Sequence, residues 1–209
     1  DICGAEYALL CTGATGGIGI ALAGCAMRET ELARYDPYKE PLHHPFAEFD
    51  TMAIVQNQLY DPSKVKGIKT EFVVPMGHES NYLIAGLSAG LRPVFAGTKE
   101  RCTREDLENK INNNTAAIEF MGMMIWFRNI VCSSASSALT GIPAVPTPEP
   151  YGIGLEEVIE IGHKHGVPIV FDAAYTIPPA ENLRKWVKMG IDIAVYCGGK
   201  SICGPNDVG

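Results

Sequence analysis

Two residues near the end of the sequence are of types that could do chemistry together. Asp172 closes the apolar run of "GVPIVFDAA", and Lys200 closes that of "IDIAVYCGGK". Short apolar runs bounded by turn signals have the pattern of buried strands. In a parallel sheet the strand C-termini meet at the ligand crevice. A carboxylate and an amine delivered there by successive strands can address one small ring from two sides. Taken singly, Asp172 could cap a turn and Lys200 could ride a solvated loop. As an ordered pair with a glycine-rich loop upstream, they favour a shared ligand.

Pyridoxal phosphate is a ligand that needs both groups. A lysine amine condenses with its aldehyde, and a carboxylate pairs with its pyridinium nitrogen. The charge-assisted bond keeps that nitrogen protonated, so the ring can accept electrons. Gly198, Gly199 and Gly204 flank Lys200 and let the backbone pass close to such a ring.

The upstream loop is "TGATGGIG", Thr12 to Gly19. This is also how a short-chain dehydrogenase begins, but that chemistry needs a Tyr-x-x-x-Lys pair on a downstream helix. That spacing occurs three times. Tyr35–Lys39 and Tyr60–Lys64 each enclose a proline, Pro37 and Pro62, which blocks a regular helix interior, and the first follows the loop too soon; Tyr196–Lys200 encloses Gly198 and Gly199 in a run expected as strand and turn, not helix. An Asn-Ala-Gly strand motif is also missing. A glycine loop without its partner residues is weak evidence for a dinucleotide.

Composition sets the frame. The 209 residues include 46% hydrophobic and 20% charged side chains, enough for one α/β domain with a real core. A net charge of −7 speaks against a nucleic-acid partner. No run of about 20 apolar residues predicts a membrane span, and no signal-peptide pattern opens the chain. The 7 cysteines show neither C-x-x-C pairs nor zinc-finger histidine spacing, so no metal site is expected. Dispersed thiols without a secretory signal point to the cytoplasm.

The elements that must position the pair alternate between strand and helix patterns. Strands are expected at "EYALLCT", "EFVVP", "RPVFAG", "TAAIEFMGM", "VPIVFDAA" and "IDIAVYCGGK". Helices are expected at "GGIGIALAGCAM", "SNYLIAGLSAG", "TREDLENKI", "LEEVIEIGHKHG" and "AENLRKWVKMG". Thr103 with Asp106 three residues on is a near-capping box. The proline-rich stretch around His43 and His44 and the Ser/Pro-rich residues 127–150 are expected to be irregular. The result is a three-layer α/β fold, a mostly parallel sheet flanked by helices.

The stretches "LEEVIEIGHKHGVPIVFDAA", "PPAENLRKWVKMGIDIAVYCGGK" and "GPNDVG" resemble fold-type I pyridoxal-phosphate enzymes. Within them the similarity is to the group of selenocysteine synthases (seryl-tRNA selenium transferases) and D-glucosaminate-6-phosphate ammonia-lyases. "TGATGGIGIALAG" and "VVPMGHESNY" fall where that group has them. The resemblance implies an aspartate-aminotransferase-like large domain over residues 1–209. The chain is then expected to be a fragment, lacking an N-terminal lead-in and a C-terminal small domain.

The resemblance also implies roles. Lys200 is the Schiff-base lysine and catalytic residue, Asp172 the pyridinium partner, and Ala174 packs on one ring face. Gly13, Ala14 and Thr15 offer a helix N-terminus to the cofactor phosphate; a close-packed helix start is the simpler alternative. His78 stands where a ring-stacking side chain is expected, although a lone loop histidine is the ordinary case. Cys197 replaces a serine that relatives use toward the phosphate, and a thiol is the poorer donor.

The implied activity is a lyase of the ammonia-lyase type. It would act on an amino acid or amino-sugar acid by α-proton abstraction and β-elimination, in a homodimer or larger assembly. A seryl-tRNA selenium transferase-like enzyme, another transferase such as an aminotransferase, and a non-catalytic relative remain alternatives.

Overall fold

The computed structural model describes residues 3–30, 33, 66–76, 83–98, 101–122, 153–200, 202–205 and 208–209. Five strands form one sheet: β1 (Glu71–Pro75), β2 (Arg92–Ala96), β3 (Thr115–Met121), β4 (Ile169–Asp172) and β5 (Ile193–Val195). Their order is β2-β1-β3-β4-β5, and every described pairing is parallel. β1, β3 and β4 are buried along their whole length, which is why they read as mostly apolar runs, with Glu71, Thr115, Glu119 and Asp172 as buried polar exceptions.

Successive side chains on each strand serve opposite faces. Ile118, Phe120, Ile169 and Phe171 join one core, under α3 (Arg104–Glu108), α4 (Leu155–Lys164) and α5 (Asn182–Met189). Ala117, Val170 and Val195 join the other, with Ile18 and Leu22 of α1 (Gly13–Met27) and Ala85 of α2 (Leu83–Ser88). The three layers expected from the sequence are present.

Local signals act as expected. Thr103 and Asp106 close a full capping box at the start of α3: Asp106 N donates to Thr103 Oγ1 at 3.1 Å, and Thr103 N donates to Asp106 Oδ2 at 2.8 Å. Gly190 ends α5 in the left-handed conformation that favours glycine.

One expected strand does not form. "EYALLCT" is an extended, unpaired stretch with Tyr7, Leu9 and Leu10 exposed. Its apolar residues suit a strand, but it pairs with neither edge strand, β2 nor β5, of the described sheet. Its described backbone pairing is confined to Cys11, which exchanges hydrogen bonds with Gly209 at 2.8 and 2.9 Å. Residues 34–65 and 123–152, which include His43, His44 and the Ser/Pro-rich stretch, are not among the described residues.

The direction of α1 decides which of its ends lies near Asp172 and Lys200. At its start, a Cβ on Gly17 would stand 2.8 Å from Val195 Cγ1, so the helix backbone touches the C-terminal end of β5. At its end, Ala26 O accepts from Lys69 N at 2.9 Å, just ahead of β1. Arg28 then donates to the carbonyls of Ala116 and Gly166, on the N-terminal side of β3 and β4. The helix therefore runs antiparallel to the strands and presents its N-terminus at their C-terminal edge.

Candidate functional site

Asp172 is the last residue of β4 and 2% exposed. Its Oδ1 accepts a hydrogen bond from Ala174 N at 2.9 Å. Burial pushes its carboxyl above the ordinary aspartate value; the Ala174 N–H and the positive charge of Lys200 pull the other way. A buried carboxylate held short of full compensation is suited to a further cationic donor.

The backbone around it is fixed from several sides. Asp172 O accepts from Gly122 N at 2.8 Å, and Ala173 N donates to Val195 O at 2.8 Å. The turn after β4 is tied to α5. Trp186 Nε1 donates to Thr176 Oγ1 at 3.0 Å, and Thr176 Oγ1 donates to Ala173 O at 2.9 Å. Asn182 adds a bond from its side-chain amide to Thr176 O.

Lys200 lies half-buried in the turn after β5. Its ammonium is close enough to Asp172 to lower that carboxyl, and its Nζ stands 3.5 Å from the centroid of the Tyr175 ring. The two residues expected to act together are thus brought together.

The lysine turn is also joined to the start of α1. Gly198 N donates to Val208 O at 2.7 Å, and Gly204 N donates to Gly198 O at 2.7 Å. Gly209, next to Val208, exchanges its two bonds with Cys11, two residues before Gly13. The first turn of α1 has no acidic residue and no side-chain cap from Thr12. Its N–H groups and dipole suit an anion.

Of the expected site residues, all but His78 lie among the described residues. Gly13 opens α1 with φ of 69°. Ala14 turns its methyl into the core beside Ala174 and Val195, so its backbone alone faces outward chemistry. Thr15 is exposed. Ala174 is 4% exposed. Cys197 is half-buried against the α1-side core. His78 lies outside the described residues. No cluster of metal-ligating side chains occurs among the described residues.

Sequence reasoning misses Tyr175. Its one signal is an aromatic residue at the strand exit, three positions after Asp172, but the contact depends on how a turn 25 residues further along is folded.

No family model matches the chain. Two curated proteins do. It is 26% identical over 208 residues to the 5'-C-glycyluridine monooxygenase-decarboxylase of a Streptomyces species, covering 97% of this chain and 40% of that protein. It is 27% identical over 144 residues to D-glucosaminate-6-phosphate ammonia lyase of Salmonella typhimurium, covering 67% of this chain and 32% of that protein. The solved structure of D-glucosaminate-6-phosphate ammonia-lyase superposes over 98% of this chain with a TM-score of 0.63 at 23% identity, using 43% of its own length.

The chain has the fold of the fold-type I pyridoxal-phosphate enzymes. A sphingosine-1-phosphate lyase from Burkholderia pseudomallei matches over 95% of this chain at a TM-score of 0.50 and 11% identity. The fold-type I resemblance therefore holds for the three-layer architecture. The chain spans about two-fifths or less of the length of the curated relatives it matches. No described helix is long and apolar enough to cross a membrane.

Proposed function

We propose that this chain carries the cofactor-binding part of a pyridoxal-phosphate-dependent lyase. The enzyme acts on an amino acid or amino-sugar acid by α-proton abstraction and β-elimination: the β-substituent leaves with the Cβ bonding pair, and water hydrolyses the resulting imine to ammonia and a keto acid. The observation that carries this reading is the shared strand edge of Asp172 and Lys200. A buried carboxylate and a lysine cation converge there, beside an uncapped helix start.

These residues fit the cofactor. Asp172 accepts the ring N–H and holds its proton, which offsets the cost of the carboxylate's burial. Ala174 would pack against the ring, and Gly13, Ala14 and Thr15 would hold the phosphate by backbone N–H groups at the start of α1. When bound, the cofactor takes up the electron pair left as the substrate Cα–H bond breaks. Lys200 receives that proton at Nζ, which requires the amine in its neutral form. The tie from Trp186 through Thr176 keeps Asp172 in register with the lysine turn. Cys197 would contribute a weak donor toward the phosphate, and His78 would stack on the ring.

Exposed Ile20 on α1 and Ile84 and Leu87 on α2 support a homo-oligomer, with a second copy covering this apolar face. The cytoplasm is the proposed compartment, supported by scattered free thiols.

A second reading has its own support, since the alignment to the monooxygenase-decarboxylase spans 97% of this chain. On that reading the same Asp172–Lys200 edge serves an oxygen-consuming decarboxylation of an amino acid carried on a nucleoside. One assay separates them. The purified enzyme is given β-substituted and phosphorylated amino acids and a glycyl nucleoside, and ammonia, keto acid, oxygen and carbon dioxide are followed. Ammonia with keto acid and no oxygen uptake supports the lyase. Oxygen uptake with carbon dioxide release supports the second reading, and neither signal from any substrate contradicts both.

A further inference from the structure

The proposed lyase reaction requires Lys200 as a neutral amine, yet its surroundings favour the cation. Nζ stands 3.5 Å from the Tyr175 ring centroid, the contact distance of a cation seated on an aromatic face. Asp172 supplies the second attraction, from the buried end of β4. Of the titratable groups around Lys200 among the described residues, Cys197 and Cys203 belong to its own loop. The first turn of α1 contributes no acidic residue.

The backbone beside Tyr175 is tied down. It precedes Thr176, whose hydroxyl and carbonyl are bonded to Trp186, Ala173 and Asn182. The ring itself is 40% exposed, so packing of the core does not account for its identity. Once a ligand cation engages Asp172, the aromatic face still attracts the lysine.

We propose that Tyr175 is the positioning residue of Lys200: its ring face docks the ammonium form at the sheet edge and sets the pH at which the amine becomes available. The inference rests on the reading of Lys200 as the reactive amine, but it concerns the cofactor-free chain. It assigns Tyr175 a role through its π-face rather than its hydroxyl.

The test is competitive labelling of the cofactor-free protein with acetic anhydride across pH, with peptide mass spectrometry reporting Lys200 and, as an internal control, Lys188. In Tyr175→Leu, Lys200 should be acetylated about 2–5-fold faster near neutral pH, the loss expected for a partly exposed cation–π contact. Tyr175→Phe keeps the ring and should stay within about 2-fold of the parent, with Lys188 unchanged throughout. Tyr175→Trp offers a stronger face and should slow labelling, which keeps the test decisive if the leucine variant fails to fold. An unchanged Lys200 profile in Tyr175→Leu overturns the inference. So does a phenylalanine variant that behaves like leucine, or a tryptophan variant that labels faster.

A parallel titration with pyridoxal phosphate, followed by visible absorbance, keeps the two readings apart. A ring-dependent profile without a visible band retains the Tyr175 role and removes the cofactor reading. A visible band with a ring-independent profile does the reverse.

Discussion

The indole N–H of Trp186 donates to the hydroxyl of Thr176 at 3.0 Å, and through this bond helix α5 fixes the turn that leaves β4. Both residues are buried, at 2% and 4% exposure, so water cannot replace either partner. Trp186 also packs against Phe171, one residue before Asp172, with ring centroids 5.0 Å apart. The carboxylate is therefore positioned by a helix whose buried Trp186 makes the tie.

Replacing Thr176 by Val keeps the shape and strands the Trp186 N–H. A loss of about 1–3 kcal/mol is expected in denaturant unfolding of the cofactor-free chain. Trp186→Phe removes both the indole volume and the donor, and should cost at least as much. Both variants should also bind pyridoxal phosphate more weakly than their stability loss alone accounts for. Unfolding curves beside a fluorescence binding titration check this.

Gly122 lies where β3 meets the Asp172 backbone. A Cβ there would stand 2.6 Å from Asp172 O and 2.7 Å from Thr176 Cγ2. Gly122→Ala should therefore destabilise the chain by about 1–3 kcal/mol, as overpacking does. It should also weaken the cofactor titration. An alanine variant with parent-like unfolding would show that this edge can yield.

Asp172 gives a pH signature. Burial raises its folded carboxyl above the unfolded value of 3.8, so the folded chain binds more protons just above that pH. Stability attributable to this group is therefore greatest below pH 3.8 and falls as pH rises through the folded value. Asp172→Asn removes the charge penalty and should stabilise the cofactor-free protein at neutral pH. The same variant should lose cofactor affinity. Thermal unfolding at several pH values, with and without cofactor, separates the two effects.

Cys197 tests the phosphate assignment. Cys197→Ser restores a stronger donor beside the start of α1 and should tighten binding of pyridoxal phosphate by about 2–10-fold, the worth of one net hydrogen bond. Cys25 and Cys102 should stay unreactive toward a thiol reagent at neutral pH, since burial pushes both thiols up to about 11. Exposed Cys203 should react first.

Much of this arrangement is legible in the residues. Asp172 ends β4 and Lys200 follows β5 in a turn, five residues past Val195; both are legible because buried parallel strands announce themselves as apolar runs and turn glycines mark where they stop. The α3 start is legible because a capping box is local chemistry. "EYALLCT" misleads because strand composition says nothing of an available edge, and pairing is a tertiary property. Tyr175 is hidden for a related reason. Its role depends on the spatial return of Lys200, which no spacing rule encodes.

The central claim is that Lys200 and Asp172 together hold one pyridoxal phosphate. Its most direct test is borohydride reduction of the purified protein after incubation with the cofactor, followed by peptide mass spectrometry. The account predicts a phosphopyridoxyl group on Lys200, absent in Lys200→Ala and much reduced in Asp172→Asn. Stoichiometric label on another lysine, or none on Lys200 at saturating cofactor, would contradict it.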